Sequence, residues 1–357
     1  MRKVTRAQVL AWRMRRHHLT EPGDVSAVDL ARRLAGVQAQ VPSSAAQAVA
    51  FRQLKPDADE IDRALRDDRT LVRTWSVRGT LHLHAADDLA FYGAAMAAVR
   101  TWERPSVLRG HGVTLAEITA IIDAIAEVLP GRVLTREELT EAVLEHTGSP
   151  HLAEVLRSGW GFALKPASWL GLLCQGPSDG NRVTFTSPST WLPGWRPVSA
   201  DVAGPELVKR YLGAHGPSTV ADFDKWFARS TKASLLKAWF AGARDELEEV
   251  SVDGTPMLAR AEDIDELEST APNKLVRLLP AFDQYVIAVN RDLIPAEHLA
   301  KVSRAAGWIS PVVLHGGRVA GVWKEEGGVV RAEQFERIPE KALAEEVARV
   351  LPGTSLG

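Results

Sequence analysis

The sequence predicts a mainly helical α+β protein in which short helices and a β-hairpin recur in three successive units, ahead of a small β-rich unit. Three observations lead there. Residues 1–68 carry apolar residues at helical spacing, and LVRTWSVRGTLHLH (71–84) then alternates with period two and breaks at Gly79. The same order of helical stretches and strand pattern returns at 126–198 and at 199–268. From about residue 270, β-branched runs split by Gly-Gly pairs take over.

Thr5 is the expected N-cap of a helix over 5–19, where Val9, Leu10, Trp12 and Leu19 stand among arginines. Ser26 caps a second helix over 26–37: Asp29 follows three places on, and Leu30, Leu34 and Val37 form an i, i+4, i+7 stripe. A third helix covers 58–68, with Ile61 and Leu65 on one face. Three short helices and a hairpin are the sequence form of a winged helix. In the second unit, TREELTEAVLEH (135–146) has Thr135 as cap and Glu138 at the capping-box position. KPASWLGLLCQG (165–176) is its candidate recognition helix, with Pro166 in the first turn, and RVTFTSP (182–188) its wing strand. PSTWLPGWRPVS (188–199) reads as a linker. The third unit runs through PELVKRYLGAHG, TVADFDKWFA and KASLLKAWFAGARDEL to the hairpin LEEVSVDGTPMLAR, turning at Asp253-Gly254. KLVRLLPAFDQYVIAV and GWISPVVLHGGRVAGVWKEEGGVVRAEQFERI make an antiparallel β unit, closed by the helix PEKALAEEVARVLP with Leu343, Val347 and Leu351 in register. The domain boundaries are placed at 1–125, 126–198, 199–268 and 269–357.

Helix-turn-helix units most often lay one helix in the major groove of DNA; service as protein-interaction modules is the alternative. A net charge of −2 over 357 residues gives no hint of nucleic acid, but the distribution does. Residues 1–35 hold Arg2, Lys3, Arg6, Arg13, Arg15, Arg16, Arg32 and Arg33 against Glu21, Asp24 and Asp29, whereas RDELEEVSVDG and EDIDELE gather acids. Only the basic face could meet phosphates. The single Cys174 excludes an internal disulfide and fits a reducing cytoplasm, and in WLGLLCQ it reads as a packed thiol. The basic start lacks an apolar signal region, and no run reaches the length of a membrane span. A soluble intracellular protein is expected.

GVQAQVPSSAAQ (36–47) places Gln38 and Gln40 at the end of the second predicted helix. Gln38 is Leu34 plus four and should emerge beside the buried stripe. Pro42 disfavours helical geometry at Val41, so an extended exit would turn both amides to one side with Ala39 behind. Paired amides can hold a water or read a polar edge; they can equally cap free helix carbonyls. His82 and His84 share a strand face near Asp87 and Asp88, but third and fourth metal ligands at usual spacing are lacking. RHH (16–18) reads as a solvated helix end or a phosphate contact. Gly-rich LHGGRVAG and EEGGVV are hairpin turns rather than phosphate loops. Of the eleven tryptophans, Trp160, Trp169, Trp226 and Trp239 fall at core spacing. Trp75 is the exception, beside Arg73 and on the same strand as Arg78, where it could lie close to a groove.

Four stretches in this order, the Gln38-Ala39-Gln40 motif, VRTWSVRGTLHL, LLPAFDQY with a following Arg291, and GRVAGVWK, resemble the AlkZ/YcaQ group of winged-helix DNA glycosylases. The likeness runs along essentially the whole chain. It implies three tandem winged helices and a C-terminal β-rich domain forming a concave channel for duplex DNA. The implied activity is hydrolysis of the N-glycosidic bond of alkylated purines, N7-alkylguanine included, and in some members of interstrand crosslinks. Gln-x-Gln marks the branch associated with self-resistance to DNA-alkylating natural products; Gln-x-Asp marks the other branch, with the broader substrate range. Gln38 and Gln40 are then the expected catalytic pair, holding the attacking water and facing the oxocarbenium-like sugar. With no lysine near the motif, an abasic product without a lyase step is expected, from a monomer with no metal or cofactor. Arg73, Arg78, Thr80 and His82 are candidates for the channel lining, or equally structural residues of a wing; Trp75 joins them as a DNA contact. Arg13, Arg15 and Arg16 are candidate phosphate contacts on a helix that also packs the domain. Asp283 and Tyr285 match the group's Phe-Asp-x-Tyr stretch, with a supporting role that orders a loop beside Arg291. A bulky or tethered lesion should not require full base flipping. A non-catalytic winged-helix regulator is the competing reading.

Overall fold

The computed structural model describes residues 1–158, 161–286 and 291–357, and its fold is mixed α and β. Helices start where local chemistry directs. Thr5, Thr114 and Thr135 each accept from the backbone three residues on, while Gln8, Glu117 and Glu138 reach back, so the capping boxes close at Arg6–Arg16, Leu115–Val128 and Arg136–Thr147. The 71–84 stretch forms strands Leu71–Trp75 and Leu81–Ala85 around a turn at Val77–Gly79, with Trp75 opposite Leu81. Strands Leu247–Val252 and Thr255–Arg260 meet at Asp253 (φ 47°) and Gly254 (φ 89°), the left-handed pair that a two-residue hairpin turn demands.

Other boundaries moved. The second helix is Ala27–Arg33, four residues shorter than its apolar stripe, because the chain reverses at Ala35 (φ 56°) and Gly36 (φ 101°). The expected recognition helix is Lys165–Trp169 alone; Gly171 (φ 73°) ends the turn and Cys174–Gln175 pairs as a strand with Thr184–Thr186. The 188–199 linker holds a short helix, Pro188–Trp191. Pro42–Ala50, Leu89–Val99 and Leu115–Val128 are helices that the sequence reading passed over. Leu89–Val99 is apolar on nearly every side, so it carries no periodic signal.

The chain packs as two compact units, each with its own cores. The first comprises Met1–Ala58, Val208–Trp226 and Ala243–Gly357. The N-terminus belongs with residues far along the chain because strand Arg2–Val4 adds in parallel to Leu247–Val252. Val9 and Trp12 then pack with Val250, Val252, Ile264 and Leu267. The β-rich segment of this unit forms a five-stranded sheet, in the order Val276–Leu279, Val312–His315, Arg318–Glu326, Val329–Gln334 and Ser355–Leu356. Its first four strands are antiparallel and the last pairs in parallel. Helix Glu340–Val350 buries Leu343 and Val347 against it, with Leu351 packed at the edge. The second unit is Asp59–Leu207 with Phe227–Gly242. There Val72, Leu89, Cys174, Trp191 and Leu192 share one core, and burial pushes the Cys174 thiol up, as a packed thiol requires. Trp169, Trp226 and Trp239 are buried as expected; Trp160 lies outside the described residues.

Candidate active site

The two glutamines sit in a segment gripped on both sides. Ahead of them the Ala27–Arg33 helix closes in a Schellman arrangement: the Gly36 amide donates to Ala31 O (2.8 Å) and the Ala35 amide to Arg32 O (3.2 Å). Gln38 is therefore not on a helix face. It lies in the extended pair Val37–Gln38 and is 7% exposed, while Ala39 is buried and Gln40 exposed. The two amides thus differ in burial, which correction follows from the bend at Gln40 just before helix Pro42–Ala50. That helix starts on Pro42, whose fixed φ and missing N–H suit a first turn.

Beyond it the anchoring is stronger. Val41 packs against Ala281 and Phe282. Ser44, Ala45, Ala48 and Val49 form the buried face, and Phe51 enters the core of the β unit beside Val276, Leu278 and Trp323. Next comes Arg52, whose side chain is fully buried. It donates to both Asp283 carboxylate oxygens (2.7 and 2.8 Å) and to Ala48 O (2.8 Å). Asp283 also accepts from the Tyr285 amide (2.9 Å), and the Tyr285 hydroxyl donates to Gly317 O (3.0 Å). The Phe-Asp-x-Tyr stretch is thus tied to the glutamine segment through Arg52, a residue that sequence reading missed. A lone arginine after a helix has no local signature. The Arg291 side chain, expected beside Asp283, lies outside the described residues.

The three candidate phosphate contacts on Arg6–Arg16 separate. Arg13 is buried, and its guanidinium donates to Gly216 O (3.1 Å) and Pro217 O (2.8 Å), so it serves packing rather than phosphate. Arg16 is largely covered and donates to Gly213 O (3.1 Å) over the Trp12 ring. Arg15 alone is exposed, near Glu266. The expected solvated end at 16–18 is overturned as well. His17 is buried, with Nε2 2.9 Å from Ala214 O and its ring edge-on to Tyr285, and burial first and His215 second hold its pKa well below the ordinary 6.5.

In the second unit the 71–85 hairpin is more enclosed than its sequence indicated. Trp75 is 4% exposed, stacked on Phe185 at 5.9 Å, and so is a core residue rather than a groove contact. His82 is fully buried, with Nδ1 3.0 Å from Thr80 O, and desolvation followed by Arg78 holds its pKa well below 6.5. It stacks near His84, which rests on Tyr92 and meets Ser76 Oγ at 2.7 Å. Arg73, Arg78 and Thr80 stay half-buried. Arg73 donates to Gln175 and Thr80 Oγ1 to Val77 O (3.3 Å); burial and then Arg229 lower the Arg78 pKa. Arg78 sits at φ 57°, a left-handed conformation uncommon for its type.

Comparison with known proteins covers nearly the whole chain. The family described as "DNA glycosylase AlkZ-like" matches residues 31–352. A curated protein of Streptomyces sahachiroi, "Interstrand DNA cross-link repair glycosylase", is 42% identical over 98% of this chain and 96% of that protein. The solved structure "Streptomyces sahachiroi DNA glycosylase AlkZ" superposes with a TM-score of 0.94 at 40% identity, covering 99% of each chain. With this coverage and identity, the chain belongs to the AlkZ-like DNA glycosylase family.

Proposed function

We propose that this enzyme is a monofunctional glycosylase for N7-alkylated, cationic purines in duplex DNA, interstrand crosslinks included, and that it works as a monomer in the cytoplasm. The crosslink-repair name of the Streptomyces relative supports the substrate class, and the Gln-x-Gln motif supports a part in self-resistance to an alkylating natural product. We read the helix–hairpin units at 1–125, 126–198 and 199–268 as winged helices and 269–357 as the β-rich domain that follows them.

One observation carries the mechanism: a solvent-facing amide at Gln40 beside a nearly buried one at Gln38, on a segment held by a Schellman turn before it and the Arg52–Asp283 pair after it. An N7-alkylated guanine carries a positive charge. When its N9–C1′ bond breaks, the bonding electrons go to N9 and the base leaves neutral. No strong general acid is needed. A water oxygen bonds to C1′, its proton passes to solvent, and an abasic sugar remains. Glutamine carbonyls accept hydrogen bonds from that water and face the positive charge growing on the sugar. Orientation and electrostatics supply the gain, since an amide cannot take the proton. Arg15, Arg73, Arg78 and Thr80 keep solvent-facing surface and are the residues we assign to DNA; Asp283 and Tyr285 support the glutamine segment.

The test is release of free base from an N7-methylguanine duplex. Gln40→Ala and Gln38→Ala should each lower the rate roughly 10²-fold, the scale for losing one oriented polar group, while DNA affinity stays within a few-fold. Wild-type protein that binds such DNA for hours without releasing base would overturn the assignment in favour of a regulator.

A further inference from the structure

The exposed indole of this protein is not where the hairpin sequence pointed. Trp75 is enclosed, whereas Trp308 is 41% exposed, the one tryptophan among the large, exposed apolar residues described. Trp308 stands on a tight loop clamped at its base. Ser303 and Ile309 pair as an isolated bridge, the Arg304 amide donates to Trp308 O (2.8 Å), and Ser310 returns to Val302 O (2.9 Å) and Lys301 O (2.8 Å). These bonds fix the backbone of the loop that carries the ring.

Its position relative to the glutamines is short in packing steps. The Trp308 ring meets Phe282 edge-to-face at 4.9 Å and 74°. Phe282 packs with Val41, the residue that follows Gln40, and its amide points to Ile309 O at 3.4 Å. Phe282 also holds φ 60°, a left-handed conformation that a bulky side chain adopts only when its surroundings enforce it. Arg304, four residues before Trp308, is exposed on the same loop. The contact with Phe282 covers part of the indole and leaves the residue 41% exposed. A flat π-surface and an exposed arginine on the same loop match a nucleotide, which offers a base face and a phosphate.

We propose that Trp308 is a stacking platform for a nucleobase next to the lesion and that Arg304 meets a phosphate of the same strand, so that this loop sets the lesion against Gln40. The assignment rests on the glycosylase reading above. Its test measures kcat/KM for base release from an N7-methylguanine duplex, together with the salt dependence of DNA binding, for wild type, Trp308→Phe, Trp308→Ala and Arg304→Ala. Trp308→Ala should fall roughly five- to hundredfold in kcat/KM, the span of one lost base–aromatic stack, and Trp308→Phe should keep most of it. Arg304→Ala should reduce the slope of log affinity against log salt by about 1. Duplex should quench tryptophan fluorescence of the wild type more than of Trp308→Phe, a measurement independent of how Trp308→Ala folds. Wild-type kcat/KM in Trp308→Ala, or equal quenching in Trp308→Phe, overturns the platform while leaving the glycosylase reading intact. Wild-type protein that releases no base overturns the glycosylase reading instead.

Discussion

Asp283→Asn isolates the tie that holds the glutamine segment. The substitution preserves shape and leaves Oδ1 able to accept from the Tyr285 amide, now 2.9 Å away, but removes the charge opposite Arg52. Both side chains of the pair are fully buried and joined by two bonds of 2.7 and 2.8 Å, so the orphaned guanidinium cannot turn to water. Removing one partner of such a pair costs about 3–5 kcal/mol. At roughly 2–4 °C per kcal/mol for a packing unit of this size, the melting temperature should drop by about 6–20 °C. Replacing both partners, as Arg52→Met with Asp283→Leu, should restore much of that loss, because no bare charge stays buried. Thermal unfolding followed by circular dichroism measures the shift. Base release assayed below the melting range should fall about tenfold or more in Asp283→Asn, with DNA affinity little changed, because a small displacement of an orienting group weakens it steeply. An Asp283→Asn protein that melts within about 2 °C of wild type would refute the argument that this pair organises the site.

Two more consequences concern stability. His17 is kept neutral by burial, by His215 and by Arg52, so below pH 6.5 the unfolded chain binds a proton that the native state refuses. Stability present above about pH 6.5 should therefore be lost as pH falls from there toward the folded-state value, by at most about 1.4 kcal/mol per pH unit for this group, and His17→Gln should flatten that part of a urea-midpoint profile. Gly161 (φ 63°) lies against Trp75, where an added Cβ would meet the indole Cε2 at 2.8 Å. Gly161→Ala should destabilise by about 2–4 kcal/mol, combining left-handed strain with overpacking, and denaturant unfolding would show it.

Much of the local architecture was legible without coordinates. Thr135 with Glu138 announced a helix start, Asp253-Gly254 a hairpin turn, and the period-two run at 71–84 a strand pair, because each depends on residues only a few places apart. The two stretches of the proposed site, Gln38-Ala39-Gln40 and Phe-Asp-x-Tyr, could be picked out as well, since both are contiguous patterns. Exposure was not. A side chain is buried or open according to what arrives from elsewhere in the chain, and no spacing rule reports that. Arg13 reads as a surface cation until Gly216 and Pro217 enclose it; Trp75 reads as a groove residue until Phe185 covers it. Arg52 gains meaning only when Asp283, 231 positions away, closes on it. Short-range hydrogen bonding and periodicity, then, set the elements and the order of the motifs along the chain. Long-range packing decided which amide faces solvent, which indole is displayed and which charge is paired, because desolvation depends on neighbours that only the folded chain brings together.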